Sequence, residues 1–410
     1  MYERVDARPG PPDAPGAAGS APPEASHHAG LSLGIVQPSP STLAGLLAGS
    51  SAGTLSPWIR ERGTPTDNLL HHFSSSSAAI MGQPFDPQLW ELAGRYQFLV
   101  PTMLAVSASH LRHHTADPAP HHIVELGLVA ASISTLKSAL ALPLDKERAD
   151  ALLCTAVILN AVTFADVTDR SPAASWVFSR SPDRLCWLDM LLRFKKLEQA
   201  TFQFRASSVL QPILDAANAP AAQDREAGLD GLPEAWRWLI GDPAGPRFDL
   251  FCQPVRILSE LSGQTKITCF TALAYFGLVN KFTEGFRDLL FEREPRAMWV
   301  FGYWLGMLGR LNIWWCARRV ERDRAAVRIF LTDLAVGRRP GKEGRMWRVL
   351  MEDLASASEW PPPSPQSDDG SSVSPEDGNP SPARRVSDDV DSGAESGGAP
   401  VVSGTTTRQP

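Results

Sequence analysis

What this chain lacks narrows its chemistry before anything it contains. No cysteine precedes Cys154, and the five present (Cys154, Cys186, Cys252, Cys269 and Cys316) are far apart and odd in number. A disulfide framework needs paired spacings in a secreted setting. The pattern instead predicts buried, inert thiols in a reducing compartment. Excess positive charge is also lacking: 39 Lys and Arg stand against 45 Asp and Glu, a net of −6. A self-sufficient nucleic-acid-binding domain carries a basic surface, so direct DNA binding gains no support. There is no glycine-rich phosphate loop. Asp166, Asp169 and Asp189 offer carboxylates, but nothing pairs two of them across a cleft, and no catalytic residue or cofactor is assigned. No basic segment leads into an apolar core at the N-terminus, so no secretory leader is expected. The uncharged apolar stretch 297–309 is well short of the ~20 residues that cross a bilayer. A soluble, intracellular protein without a membrane span is expected.

Runs of alternating β-branched residues are missing as well, and helical spacing fills the centre of the chain. The expected fold is therefore all-α, a multi-helix bundle at 66–360 between two disordered arms, 1–65 and 361–410. Both arms are rich in Pro, Ser, Gly or Ala, a composition that cannot offset the entropy of ordering. Asp67 is the expected N-cap of a first helix carrying Leu69, Leu70, His72 and Phe73. A second helix follows Asp86-Pro87, and a third covers 98–114. Residues 121–142 place Ile123, Leu126, Val129, Ala130, Ile133, Leu136 and Leu140 on one helical face. Asp145 opens a helix so broadly apolar through Phe164 that burial on most sides is expected. Further helices are expected at 182–215, 233–241, 249–261, 265–291, 295–335 with a break, and 343–357, with a loop at 216–231.

Several clusters could carry chemistry. His110, His113 and His114 sit at i, i+3 and i+4, a spacing that can share a zinc ion. No cysteine lies near and a polar turn follows, so a solvated cluster is the simpler account and no metal site is assigned. Gly302 and Gly306 lie within the aromatic run Trp299-Val-Phe-Gly-Tyr-Trp-Leu-Gly-Met-Leu-Gly. Such glycines let a second helix approach closely, or leave room for an apolar ligand. In the second case Phe270, Tyr275, Phe276, Trp304 and Met307 line the pocket, with Tyr275 and Trp304 as polar handles. Arg310, Arg318, Arg319, Arg322, Arg324 and Arg328 stud the next helix. Interspersed acids favour a solvated amphipathic face over a nucleic-acid or nuclear-import surface. In the tail, Ser387 stands between Arg384-Arg385 and Asp388-Asp389, a kinase-like context where phosphorylation would add roughly −1.5 to −2 of charge.

Four separated words set the chain in a wider context. They are Leu69-Leu70-His71-His72-Phe73, the segment Phe98 to Leu111, Pro295-Arg296-Ala297-Met298, and Trp314-Trp315. Between them, Trp187-Leu188-Asp189-Met190-Leu191-Leu192-Arg193 follows the buried helix 149–165. This ordered set, over about 67–205 and 265–335, resembles the C-terminal regulatory domain of fungal zinc-cluster transcription factors of the sterol-uptake-control type. The resemblance implies a helical, lipid- or sterol-sensing domain that regulates transcription in the nucleus as a homodimer or a heterodimer. Those factors carry a six-cysteine DNA-binding module ahead of this domain, and none is present here. DNA contact is therefore expected only through a DNA-binding zinc-cluster partner. A scaffold protein of the same fold and a biosynthetic enzyme are the alternatives.

Overall fold

The structure, a computed structural model, describes Gly45 and residues 55–81, 87–218, 229–264 and 274–359. They lie in the compact unit Met1–Pro363, while a second unit, Ser364–Pro410, falls outside them. Phe270 and Ser387 therefore lie outside the described residues.

Every regular element among the described residues is helical. The first half runs α1 (Pro57–Arg62), α2 (Thr66–Met81), α3 (Pro87–Arg95), α4 (Val100–His114), α5 (Ala119–Leu140) and α6 (Lys146–Ala165). The second runs α7 (Cys186–Ala200), α8 (Gln211–Asn218), α9 (Glu234–Ile240), α10 (Phe248–Ser262), α11 (Glu284–Phe291), α12 (Pro295–Gly309), α13 (Trp314–Asp333) and α14 (Gly341–Ser356). Local chemistry sets many of the starts. Asp145 accepts from Arg148 N at 2.8 Å, Thr283 from Phe286 N at 3.1 Å, and Glu294 from Ala297 N at 2.8 Å. Each satisfies an amide that the first helical turn leaves without a partner. Proline follows Glu294 directly, where its missing N–H costs nothing.

The helices enclose two apolar cores. One gathers Leu69, Leu70 and Phe73 of α2 with Leu99, Met103 and Leu104 around α4. The other gathers Trp236, Phe251, Phe286, Trp299, Trp304 and Trp347. Helix α6 serves both: Ala151, Cys154, Ile158 and Val162 belong to the first, and Phe164 to the second. Thirteen of its 20 residues are buried, as its broad apolar surface predicts.

The C-terminal end of α6 is closed by arginines from elsewhere. Arg319 of α13 donates from Nε to Phe164 O at 2.8 Å and from Nη2 to Thr163 O and Asp166 O, each at 3.1 Å. Its guanidinium also lies 4.3 Å from the Trp187 ring centroid. Arg112 of α4 donates to Ala165 O at 3.4 Å and is paired with buried Glu125 at 2.5 Å. Asp323 completes the arrangement, accepting from Arg322 Nε at 2.7 Å and Ser175 Oγ at 2.9 Å, with Arg319 at 3.6 Å. Burial pulls the Arg319 guanidinium down to about 10, against the pull of Asp323.

Four expectations are corrected. Helix α1 lies inside the arm expected to be disordered; Leu55 is buried, and a side chain added at Gly127 of α5 would meet Leu55 and Ile59. Asp67 sits in the first turn of α2 rather than capping it. The single helix expected at 182–215 is α7, a 3₁₀ turn at Phe202–Ser207 and the start of α8. The arginines of this segment do not form a solvated face: Arg319 and Arg322 of α13 are buried, and Arg318 and Arg324 of α13 and Arg310 just after α12 donate to main-chain carbonyls. The break expected within 295–335 occurs at Asn312, whose φ of 47° is a left-handed value that asparagine adopts more readily than most residues.

Arg319→Met should lower unfolding free energy by about 3–5 kcal/mol, because it strands helix-end carbonyls and removes a partner of a buried carboxylate. Arg328→Ala, on the exposed side of the same helix, should stay within about 0.5 kcal/mol. Urea unfolding of the full chain distinguishes a clamp from a solvated face, which would give both variants the smaller effect.

Candidate functional site

Three places could carry function, and the first is a junction of the sequence words themselves. His72 of α2 and His110 of α4 meet with Nε2 and Nδ1 3.1 Å apart. The indole of Trp314 packs edge-on to His110 at 5.0 Å and to His113 at 5.5 Å between centroids. Its Nε1 donates to Ile80 O at 2.7 Å. Arg318 reaches His113 O at 3.1 Å. The words around 69–73, 98–111 and 314–315 thus share one junction between α2, α4 and α13. Burial, then the neighbouring His114, His72 and His113, pushes His110 down to about 4. Burial and then Arg318 do the same to His113, also to about 4. Among the described residues no three His, Cys, Asp or Glu side chains are arranged to hold a metal. His72, His110 and His113 are partly buried and pack at this junction, while His114 is exposed.

The second place is the set expected to line an apolar pocket. Tyr275, Trp304 and Met307 are fully buried. Trp304 Nε1 donates to Tyr275 O at 2.8 Å, and the Tyr275 hydroxyl to Leu261 O at 3.3 Å. Phe276 is partly buried and stacks on Trp315 at 4.8 Å. The room expected beside these rings is filled. A Cβ at Gly302 would lie 2.8 Å from Val327 of α13, and one at Gly306 would lie 2.5 Å from Ala357 just beyond α14. The glycines admit neighbouring chain, so close approach is the use this structure makes of them.

The third place was not singled out by residue chemistry. Helix α5 is the most apolar surface element, yet only five of its 22 residues are buried: Val124, Glu125, Leu128, Ser132 and Ala139. The face that carries Leu126, Ile133 and Leu140 points outward, with exposures of 53%, 45% and 50%. Val129 and Leu136 lie between them, partly exposed, and exposed Leu142 extends the row. Helices α5 and α6 are both long and apolar enough to cross a membrane by length and composition, a property that the shorter 297–309 stretch does not reveal. In α6 the apolar side chains fill the cores; in α5 the largest of them meet solvent. The signal was the seven-residue repeat 126–133–140, which periodicity alone reads as core.

Two measurements test these placements. Gly306→Trp should destabilise by at least about 1–3 kcal/mol through overpacking. Gly309→Ala should be near neutral, since its Cβ would sit 3.4 Å from Val320, an ordinary contact. Equal tolerance of both would show free space beside Gly306. For the histidines, an unfolded imidazole titrates near 6.5, whereas His110 and His113 titrate at about 4. Between these values the unfolded chain binds more protons, so stability falls as pH drops through the window and is fully present above it. The urea midpoint should be lower at pH 5 than at pH 7.5, and His110→Gln should reduce that difference. An unchanged difference would remove His110 as a contributor.

No protein-family model, no curated protein and no solved structure gives a significant match to this chain, so the resemblance described above rests on its ordered residue words.

Proposed function

We propose that this chain is a nuclear transcription-regulator-like protein that works by association, with the outer face of α5 as the contact surface and DNA contact supplied by a zinc-cluster partner. The observation that carries the proposal is the exposed row Leu126, Val129, Ile133, Leu136 and Leu140. Its alternating three- and four-residue steps make the seam along which two helices pack. A row of this kind on a soluble domain marks an interaction surface more often than an accident of composition.

The occupant favoured here is a second copy of the chain. Lys137 is the one charged residue among the outward positions between Leu126 and Leu140, so two copies meet without opposed like charges along most of the seam. A twofold axis at Ile133 would set Leu126 of one copy against Leu140 of the other, the self-complementary form of a C2 contact. A lipid or sterol at Tyr275, Trp304 and Met307 would instead have to displace packing already made. For that reason association, rather than sensing, carries the proposal.

Sedimentation of the full chain at tens of micromolar should show a dimer, and Ile133→Glu with Leu126→Glu should convert it to a monomer with an unchanged thermal midpoint. A wild-type monomer that binds phosphatidylcholine vesicles through the same residues would make α5 a membrane-facing helix and overturn the proposal. So would a dimer insensitive to both substitutions.

A further inference from the structure

Four hydroxyls among the described residues stand directly before a proline: Ser56, Thr64, Ser171 and Ser181. Proline there suits a proline-directed kinase, because it brings no main-chain N–H to be left without a partner in the enzyme's apolar pocket. The four differ in their surroundings. Thr64 Oγ1 is bonded to the His121 ring at 2.6 Å, and Ser56 Oγ accepts from Ile59 N at 3.4 Å as the cap of α1. Ser171 has the Asp169 carboxylate on its own amide at 2.7 Å, a like charge that repels a phosphate. Among the four, Ser181 alone has a basic residue three positions on, in Ser181-Pro182-Asp183-Arg184.

Ser181 and Pro182 are exposed in the link between α6 and α7. Apart from the 3₁₀ turn Pro172–Ala174, this link is turns and irregular backbone. A short stretch of it can open without unwinding a long helix. The Ser181 hydroxyl accepts from Asp183 N at 3.2 Å, and the Ser181 carbonyl accepts from Arg184 Nη1 at 3.2 Å. That guanidinium also donates to Phe291 O and lies 3.6 Å from the Phe291 ring centroid, while its Nε has no hydrogen-bond partner. Arg293 grips the same link, donating to Val177 O and Ser179 O at 2.5 Å each. Neither Arg184 nor Arg293 is paired with a carboxylate among the described residues; both meet carbonyls. Arg287 differs, since Asp189 takes it at 2.9 and 3.1 Å and Asp288 at 3.3 Å. Burial, then Arg293 and Arg287, pulls the Arg184 guanidinium below its usual range. Asp183 is the one acid in the stretch 179–184, and its side chain is exposed.

We propose that Ser181 is a phosphorylation site for a proline-directed kinase, and that Arg184 receives the phosphate. The γ-phosphoryl group of ATP passes to Ser181 Oγ. The bond from phosphorus to the bridging oxygen of ATP breaks, ADP leaves, and the hydroxyl proton goes to the kinase's base. The product carries roughly −1.5 to −2 of charge and three acceptor oxygens. Arginine binds such a group through two parallel hydrogen bonds. The tie fixes the link that sends Ser175 to Asp323 at 2.9 Å and buries Trp176 and Val177 in the core. The modification therefore acts on the corner beside the α6 clamp, and it is independent of the association proposed for α5.

The test treats the full chain with magnesium ATP and a cyclin-bound, proline-directed kinase, and maps phosphate by tandem mass spectrometry. Ser364, Ser374 and Ser381 also precede proline, so total incorporation does not decide the matter. Ser181 should carry phosphate on most molecules and Ser171 on few. In phosphorus NMR, the resonance missing from identically treated Ser181→Ala should titrate below the ordinary phosphoserine value of about 6, because Arg184 favours the dianion. Arg184→Lys keeps the charge three residues on but loses the fork, and should bring that titration closer to the ordinary value. The treated wild type should also melt higher than treated Ser181→Ala. An unmodified Ser181 in the folded chain, with or without phosphate in the tail, would overturn the proposal. So would equal modification of Ser171 and Ser181, or a Ser181 phosphate that titrates at or above the ordinary value.

Discussion

The fold depends on a guanidinium sealed against the C-terminal end of α6. A helix of 20 residues ends with carbonyls that have no partner within it, and the last turn of α6 buries Phe164 and Ala165 against the apolar cores. Arg319 gives three of these donors from α13, at Phe164, Thr163 and Asp166, and Arg112 reaches Ala165 from α4. The positive groups also face the negative end of the helix dipole. Burying two such cations is costly on its own, and the cost is met by buried acids: Asp323 beside Arg319 and Arg322, Glu125 beside Arg112. Because α4, α6 and α13 all contribute, the two halves of the domain are held by the same charges. Hydrophobic contact alone would fix that register less uniquely, since apolar surfaces tolerate sliding while three directed hydrogen bonds do not.

This also explains which parts of the fold were legible in the sequence. Most helices of the first half are readable from their apolar periodicity, and at α6 the capping residue Asp145 agrees with it. Helix α12 is readable for the same reason, with Glu294 and Pro295 at its start and an unbroken buried run behind them. Arg319 and Arg322 are not readable. On a helix with Glu321 and Asp323 interspersed, a charged run has the same pattern whether it meets water or a buried helix end. Only the spatial neighbour, 155 residues earlier in the chain for Phe164, decides between them. The 182–215 segment fails for a different reason: local propensity favours one long helix, while the chain must turn at Thr201 to bring Phe202–Ser207 against α6 and α7.

The α5 helix is the opposite case, where periodicity was read accurately and the inference from it inverted. Its buried residues are Val124, Leu128, Ser132, Ala139 and the paired Glu125, while Leu126, Ile133 and Leu140 face out. Single exposed apolar residues need no explanation. A row with a seven-residue repeat along a 22-residue helix does, because removing that row from water is worth roughly 25 cal/mol per Å² and no part of the described chain does so. The short helix α1 covers only the region of Gly127.

The aromatic wealth of α12 then acquires a structural rather than a chemical meaning. Each buried indole must find an acceptor or forfeit a hydrogen bond. Trp304 finds Tyr275 O, Trp299 finds Leu350 O, and Trp236 finds Asp353. These links tie α12 to the 274–281 segment and to α14, and α9 to α14, across distances in sequence that apolar packing alone would leave loosely registered. A core built this way gains definition but loses vacancy, because a ligand entering it must break directed hydrogen bonds as well as apolar contacts. A surface that the clamps do not use, the apolar outer row of α5, remains available for recognition.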